Sequence, residues 1–211
     1  MSDVFRIQAT PPSPELWAPG RGEANLIDVA TFGFWLYMLS DTLVFAALFA
    51  AYGVLDHRFN AAGGPTSHEI VHPLAAFWQT LIVLSSAFAY GMAMVGIRAR
   101  SRLRCVVGLA GSAALGAVFI ALENIHLAAL VAQGNAPERS GYLSAFFILM
   151  AVHNLHLAFG VLWMLVMIVQ VSTQGFTTGT VIRLLNLRFY WMFQTSIWVC
   201  IFVFVYLRGG A

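Results

Sequence analysis

Five long apolar stretches, separated by short polar segments, dominate the sequence from about residue 31 onward. Each holds about 20 or more mostly apolar residues, the length that an α-helix needs to cross the hydrocarbon core of a bilayer. The pattern predicts spans at 33–55, 74–97, 103–132, 142–171 and 184–207. The third and fourth spans are longer than a bilayer requires, so we expect them to tilt or to project beyond it.

The composition agrees with a chain surrounded by lipid. Of its 211 residues, 60% are hydrophobic and only 9% are charged, whereas soluble domains carry about 25% charged residues. The mean hydropathy is +0.79, and the net charge of +2 is too small to indicate a nucleic-acid partner. We therefore predict an all-α integral membrane protein with five transmembrane helices.

The N-terminal segment differs from the rest of the chain because it is polar and rich in proline. It shows no apolar core followed by a small-residue cleavage site, so no signal peptide is evident. We predict two regions: a cytoplasmic tail at 1–30 and a five-helix transmembrane domain at 31–211. Aromatic residues near span ends, among them Trp78, Tyr142, Tyr190 and Trp191, are typical of a belt at the membrane interface.

The distribution of arginine predicts the orientation in the membrane. Segment 98–104, between spans two and three, carries four of the eleven basic residues. Basic residues favour the cytoplasmic side, and placing this segment inside puts the N-terminus inside as well. Eight arginines then lie inside and three outside, the three being Arg58, Arg139 and Arg208. We therefore expect a cytoplasmic N-terminus and a C-terminus on the other side.

Span three carries small residues at four-residue spacing, Gly108, Ser112 and Gly116. In lipid, small residues at this spacing allow two helix backbones to approach closely. We therefore predict that this face of span three packs against a neighbouring helix.

Five ionisable side chains at membrane depth are the candidate functional residues. Asp41 lies in the middle of span one, Glu123 and His126 form a Glu-x-x-His pair in span three, and His153 and His156 form a His-x-x-His pair in span four. Such groups cost on the order of 2.5–3.5 kcal/mol each on insertion scales, so they face protein and have partners.

These residues allow several interpretations. Glu-x-x-His is a helix motif of di-iron carboxylate proteins, so an independent membrane metalloenzyme is one alternative. The expected positions in the membrane disfavour a metalloenzyme, because Glu123 and the histidines of span four should lie about 10 Å apart along the membrane normal. Ligands of one metal lie about 2.0–2.2 Å from it, so these residues are too far apart to share a coordination sphere. Asp41 is within reach of those histidines. Hydrogen bonding inside the helical bundle and a proton relay both stay open.

Several runs, taken in order, resemble subunit III of the haem–copper terminal oxidases, and above all that of the cytochrome bo-type ubiquinol oxidases. Segment 32–41, which ends in Asp41, is similar to the opening helix of that family. The loop at 62–66, Ala-Gly-Gly-Pro-Thr, and segments 85–93 and 139–147 resemble the quinol oxidase form. The run 153–156, His-Asn-Leu-His, resembles the His-Gly-Leu-His of the family.

The chain also departs from the pattern of this family. Asn154 replaces the glycine between the two histidines, and His126 stands where a second glutamate is common. In the last helix, Met192 and Thr195 replace the usual histidine and aspartate. The resemblance therefore does not carry over to this chain the polar contacts that the last helix makes in other members.

The resemblance implies an accessory subunit without a redox cofactor of its own. Haems and copper would lie in subunit I, and this chain would associate with subunits I, II and IV in a bacterial inner membrane. A V-shaped cleft between helices one–two and helices three–five would bind phospholipid, and the chain would support the assembly and stability of subunit I. The complex would oxidise ubiquinol, reduce oxygen to water and pump protons.

The resemblance also assigns roles to residues. Asp41, Glu123, His126, His153 and His156 would be the buried polar residues of the cleft region. Four arginines near the membrane surfaces suit anionic lipid headgroups; they are Arg58, Arg98, Arg100 and Arg139. No catalytic residue or metal ligand is expected. Subunit III of a cytochrome c oxidase, or a homologue associated with nitric oxide reductase, is the alternative.

Overall fold

The computed structural model describes residues 21–61, 65 and 67–210. The first 20 residues of the predicted tail, most of the Gly-Gly-Pro-Thr loop and Ala211 lie outside the described residues. Five long helices follow one another: α1 (Arg21–Leu55), α2 (Pro73–Arg98), α3 (Arg102–Ala132), α4 (Gly141–Gln174) and α5 (Thr178–Ile201). α5 continues as a π-helix, Phe202–Leu207, and ends in the turn Arg208–Gly210.

The loops between the helices are short. Helical turns at Arg58–Ala61 and Ser67–Ile70 lie between α1 and α2, and another at Pro137–Arg139 precedes α4. Three-residue links join α2 to α3 and α4 to α5. Successive helices therefore run in opposite directions. The N-terminal end of the bundle holds the start of α1, and the opposite end holds the α1–α2 and α3–α4 loops.

The five predicted spans are confirmed, because all five helices are long and apolar enough to cross a membrane. Among the described residues there is no β-strand. α1 begins at Arg21, but its apolar part starts at Thr31. α5 begins six residues before the predicted start, since the Thr177 hydroxyl accepts a hydrogen bond from the Thr180 amide at 3.2 Å and caps the helix.

The packing corrects the predicted grouping of the helices. α1 packs against α4 and α5, whereas α2 packs along α3 and also contacts α5. The reason lies in α1 itself, whose buried Met38, Asp41, Phe45 and Tyr52 face α4 and α5. α1 and α2 therefore flank α5 instead of forming one arm, and a V-shaped cleft between helices one–two and helices three–five is not what these contacts show.

Small residues bring α2 and α3 into close contact, as their spacing predicted. A Cβ atom on Gly108 would lie 2.6 Å from the backbone nitrogen of Ala93, and one on Gly96 would lie 2.5 Å from that of Cys105. Real Cβ atoms do not approach so closely, so both positions require glycine. Without a hydrophobic force between helices in lipid, such close packing is a main source of helix association.

The indole of Trp191 on α5 fills a slot between α3 and α4. A Cβ atom on Gly116 of α3 would lie 2.8 Å from Cη2 of this indole, and one on Gly160 of α4 would lie 2.8 Å from Cζ3. The indole Nε1 donates a hydrogen bond to the Ser86 hydroxyl of α2 at 2.8 Å. One side chain therefore fixes α5 against three other helices.

Two further hydrogen bonds join α5 to α2 at seven-residue intervals. Trp198 Nε1 donates to the Thr80 hydroxyl at 3.0 Å, and the Tyr90 hydroxyl donates to the carbonyl of Leu184 at 2.9 Å. Leu184, Trp191 and Trp198 thus form one face of α5 directed at α2. Trp191 and Tyr190 are fully buried, so the prediction that they belong to an interfacial belt is wrong.

Replacing Gly116 with alanine tests the Trp191 slot. The added methyl group would meet an indole that Gly160 and Ser86 hold in place, so we expect a loss of about 1–3 kcal/mol in stability. The measurement is the thermal unfolding of the purified protein in mild detergent.

Gly111→Ala on the same helix is the matched control, because its Cβ atom would have only an ordinary contact, 3.8 Å from Ala89. Equal stability losses for the two variants would contradict the proposed role of the slot.

Candidate functional site

Asp41 on α1 and His156 on α4 meet near the middle of the bundle. The distance between Asp41 Oδ2 and His156 Nε2 is 3.5 Å, within ion-pair range although the geometry is not that of a hydrogen bond. The predicted reach of Asp41 to the histidines of span four is thus confirmed for His156. The two helices that carry them share an extensive interface, which places the pair between helices and not in lipid.

The protons of this pair follow from its hydrogen bonds. His156 Nδ1 lies 2.8 Å from the carbonyl oxygen of Val152, and because a carbonyl only accepts, Nδ1 carries a proton. A neutral His156 would therefore turn the lone pair of Nε2 toward Asp41. The contact is favourable only when the pair holds one additional proton, on the imidazole or on the carboxyl.

Aromatic rings and a groove between α1 and α5 lie next to the pair. The Phe45 ring lies 5.3 Å from the His156 ring and 6.2 Å from that of Phe193. A groove of about 300 Å³ between α1 and α5 passes beside Asp41, since Met38 and Thr42 line it. Its remaining lining is mostly apolar: Thr31, Phe34, Trp35, Leu39, Phe189 and Phe193.

His153 has partners different from those of His156. Its ring stacks on Trp198 of α5 with centroids 5.6 Å apart and an angle of 28°. Its Nε2 lies 3.2 Å from the carbonyl oxygen of Gln194 and donates to it. The His-x-x-His pair is therefore divided, because His156 turns toward α1 and His153 toward α5.

Glu123 on α3 belongs to another polar group. The Gln79 amide of α2 donates to Glu123 Oε2 at 3.0 Å, and the Tyr206 hydroxyl of α5 faces the same carboxyl. One turn earlier on α3, the Phe119 ring lies 6.0 Å from that of His153. Glu123 and His153 thus differ in level by about one turn, ~5.4 Å, which is less than the predicted separation.

His126 does not meet the histidines of α4. Its ring lies 6.4 Å from that of His72, at the start of α2. Both line a pocket of about 400 Å³ between α2 and α3, at the opposite end of the bundle. The Glu-x-x-His pair is therefore also divided, since Glu123 points inward and His126 toward the pocket.

The described residues contain no group of three or more His, Cys, Asp or Glu side chains placed to hold a metal ion. The five predicted polar residues instead form separate contacts: Asp41 with His156, His153 with Trp198, Glu123 with Gln79, and His126 with His72. This arrangement favours separate contacts within the bundle over a single metal centre.

The predicted headgroup arginines lie at both ends of the bundle. Arg98 and Arg100 are at the α2–α3 turn of the N-terminal end, and both interact with other groups of the chain. Arg139 is at the opposite end, where it donates to Asn135 Oδ1 at 2.8 Å. Arg58 lies in a turn at that end, and its side chain is outside the described part.

The sequence reasoning missed three buried tyrosines, Tyr52, Tyr142 and Tyr206. Tyr142 is only 1% exposed, so its predicted place in an interfacial belt is wrong. The rings of Tyr52 and Tyr142 lie 5.9 Å apart between α1 and α4. The sequence does not show whether a tyrosine near the end of a span faces lipid headgroups or neighbouring helices. Only the packing of the helices distinguishes these two positions.

Comparison with known proteins gives the same family by two routes, a family model and individual relatives. The family model of cytochrome c oxidase subunit III matches residues 19–210. The chain is 39% identical to the cytochrome bo(3) ubiquinol oxidase subunit 3 of Pseudomonas aeruginosa over 179 residues, which is 85% of each chain. It is 38% identical to the protein of the same name from Pseudomonas putida, over 86% of each chain.

A further relative is named for a different electron donor, cytochrome c. The cytochrome c oxidase subunit 3 of Bacillus sp. strain PS3 is 30% identical over 207 residues, or 98% of this chain and 97% of that one.

A double-mutant cycle tests the contact between Asp41 and His156. Because the two side chains lie 3.5 Å apart inside the bundle, Asp41→Asn and His156→Leu together should cost less than the sum of the single losses, by about 1 kcal/mol. The measurement is unfolding in detergent of the four proteins.

The matched cycle combines Asp41→Asn with His153→Leu, which removes the other histidine of α4. We expect additive losses there, because His153 contacts α5 and not Asp41. Additive losses in the first cycle would show that the pair has no energetic coupling.

Proposed function

The chain belongs to the cytochrome c oxidase subunit III family, and from this premise we propose that it is the accessory subunit III of a haem–copper ubiquinol oxidase. That complex oxidises ubiquinol, reduces oxygen to water and pumps protons in the aerobic respiratory chain. The observation that carries the proposal is the match to ubiquinol oxidase subunit 3 proteins at 38–39% identity over most of the chain. The match to a cytochrome c oxidase subunit is weaker, at 30%.

The chain itself would carry no redox cofactor. The directions of its two histidines on α4 support this, because His156 lies against Asp41 of α1 and His153 against Gln194 of α5. The two rings therefore do not converge on one site. Haems and copper would therefore lie in subunit I, and the role of this chain would be to support the assembly and stability of that subunit.

Phospholipid would bind in the groove between α1 and α5. The groove has an almost wholly apolar lining, suited to an acyl chain, and passes beside Asp41. The arginines near the membrane surfaces, Arg98 and Arg100 at one end and Arg58 and Arg139 at the other, suit the anionic headgroups. The proposed lipid site thus replaces the cleft that the helix grouping does not support.

Subunits I, II and IV would be the partners in a bacterial inner membrane. Both α1 and α2 expose large apolar side chains, among them Trp35 and Leu43 on α1 and Trp78 and Phe88 on α2. These faces are available to lipid or to neighbouring subunits. The excess of arginine at the N-terminal end favours a cytoplasmic N-terminus and a periplasmic C-terminus.

Purification through an affinity tag on this chain tests the proposal directly. The complex isolated in mild detergent should contain haem and copper and oxidise ubiquinol, and the isolated chain should show no haem absorption and no stoichiometric iron or copper. Oxidation of reduced cytochrome c in place of ubiquinol would favour the cytochrome c oxidase alternative. A haem band in the isolated chain would contradict the accessory role.

The variant Asp41→Asn tests the proposed lipid site. The initial rate of oxygen reduction should stay close to that of the unmodified complex, because the redox centres lie in another subunit. Phospholipid content should fall, or inactivation during turnover should become faster, since the site lies beside the groove.

Ser40→Ala is the control, because the Ser40 hydroxyl only donates to the Tyr37 carbonyl of its own helix. An immediate loss of electron transfer in Asp41→Asn would place Asp41 in the catalytic machinery and refute the proposal.

A further inference from the structure

Each of the five helices contributes one polar side chain to a buried cluster toward the opposite end of the bundle. The cluster consists of Tyr52 from α1, Gln79 from α2, Glu123 from α3, Tyr142 from α4 and Tyr206 from α5. All five residues are buried, and the Glu123 carboxyl lies among them at 1% exposure. We call this group the five-helix cluster.

Most polar atoms of the five-helix cluster lack a hydrogen-bond partner in the protein. The Tyr206 hydroxyl faces Glu123, and the Tyr142 hydroxyl faces that of Tyr52. Yet the three hydroxyls and Glu123 Oε1 are all buried without a partner at hydrogen-bond distance and angle. Each such group costs about 1–3 kcal/mol when buried unsatisfied. Internal water bridges such groups in other proteins, with about three hydrogen bonds each.

A pocket connects the five-helix cluster to the surface. The pocket between α2 and α3 has a volume of about 400 Å³ and reaches both Gln79 and Tyr206. His72 and His126 line it as well, and His126 Nε2 is also buried without a partner. The rest of the lining is apolar: Ala75, Ala76, Trp78, Leu122, Ile125 and Ala129. A water molecule takes about 30 Å³ in the liquid, so the space suffices for several. Polar atoms therefore lead from the pocket to the Glu123 carboxyl.

The surroundings of Glu123 favour the neutral acid over the carboxylate. Among the described residues its carboxyl accepts one hydrogen bond, from the uncharged Gln79 amide, and forms no ion pair. An ionised carboxyl buried this deeply needs a cation or several donors.

The titratable side chains around the five-helix cluster place no cation next to the Glu123 carboxyl in the part of the chain that the structure describes. Tyr206 faces the carboxyl from the π-helix that continues α5, and Tyr52 and Tyr142 face Tyr206 from α1 and α4. His126 and His72 lie on the pocket side, while Asp56 and Arg208 lie beyond Tyr52.

We propose that the five-helix cluster is a water-binding site in which Glu123 is held as a carboxylic acid and exchanges its proton with water of the α2–α3 pocket. The O–H bond at Glu123 Oε1 breaks as the proton passes to a bound water molecule. The reverse transfer restores the acid, so no electron is moved and no further reactant is needed. The site concerns only this chain and does not depend on which donor the complex oxidises.

Infrared difference spectroscopy of the purified complex tests the site. The spectrum should contain a carbonyl-stretch band of a protonated carboxyl that shifts in D₂O and disappears in Glu123→Gln. Asp41→Asn is the control and should leave this band in place. If the carbonyl-stretch region of protonated carboxyls is the same in the unmodified complex and in Glu123→Gln, the Glu123 carboxyl is ionised and the proposal is overturned.

Two further variants keep the test decisive if Glu123→Gln does not assemble. Tyr206→Phe removes the hydroxyl that faces the carboxyl, so the band should persist at a shifted frequency. His126→Leu replaces a polar wall of the pocket with an apolar one, so deuterium should enter the band several-fold more slowly. An unshifted band in the first variant, together with unchanged exchange in the second, would refute the site.

Discussion

The burial of the Trp191 indole is the constraint on which the arrangement of the bundle depends. The ring occupies space that only glycine leaves free, at Gly116 and Gly160, and its one polar atom reaches Ser86. Because this contact fixes α5 against α2, α3 and α4, it also fixes the residue before Trp191 on α5 and the residue two turns after it. The Tyr190 hydroxyl donates to the carbonyl of His156 at 2.8 Å, and Trp198 stacks on His153.

Polar groups in this bundle are distributed in levels along its axis. The contact of Asp41 with His156 lies in the middle, that of His153 with Trp198 lies about one turn away along α4, and the five-helix cluster lies toward the opposite end. Each level joins a different combination of helices. In lipid, where apolar surfaces alone give little preference for one neighbour, such contacts specify which helices meet. That role suits a subunit whose proposed function is support.

The sequence was sufficient to predict the five spans, because lipid imposes length and hydropathy on each segment separately. It also predicted that Asp41 reaches the histidines of α4, since both lie at mid-depth. It did not predict which helices pack together, and the predicted cleft was wrong. Both the lipid-facing and the protein-facing surfaces are apolar, so the periodicity that identifies a buried face in soluble helices is weak. For the same reason, the sequence did not predict that Tyr142 and Trp191 are buried.

The number of residues in the π-helical segment Phe202–Leu207 determines the direction in which Tyr206 points. A π-helix pairs residues five apart, so it holds more residues per turn than the α-helix before it. Losing one residue there would restore the α-helical repeat and rotate everything beyond by about 100°, which would carry Tyr206 away from Glu123. Insertions and deletions are tolerated in surface loops, such as that between α1 and α2. Within this segment, the insertion or deletion of a single residue would separate Tyr206 from the five-helix cluster, although no residue of the cluster is substituted.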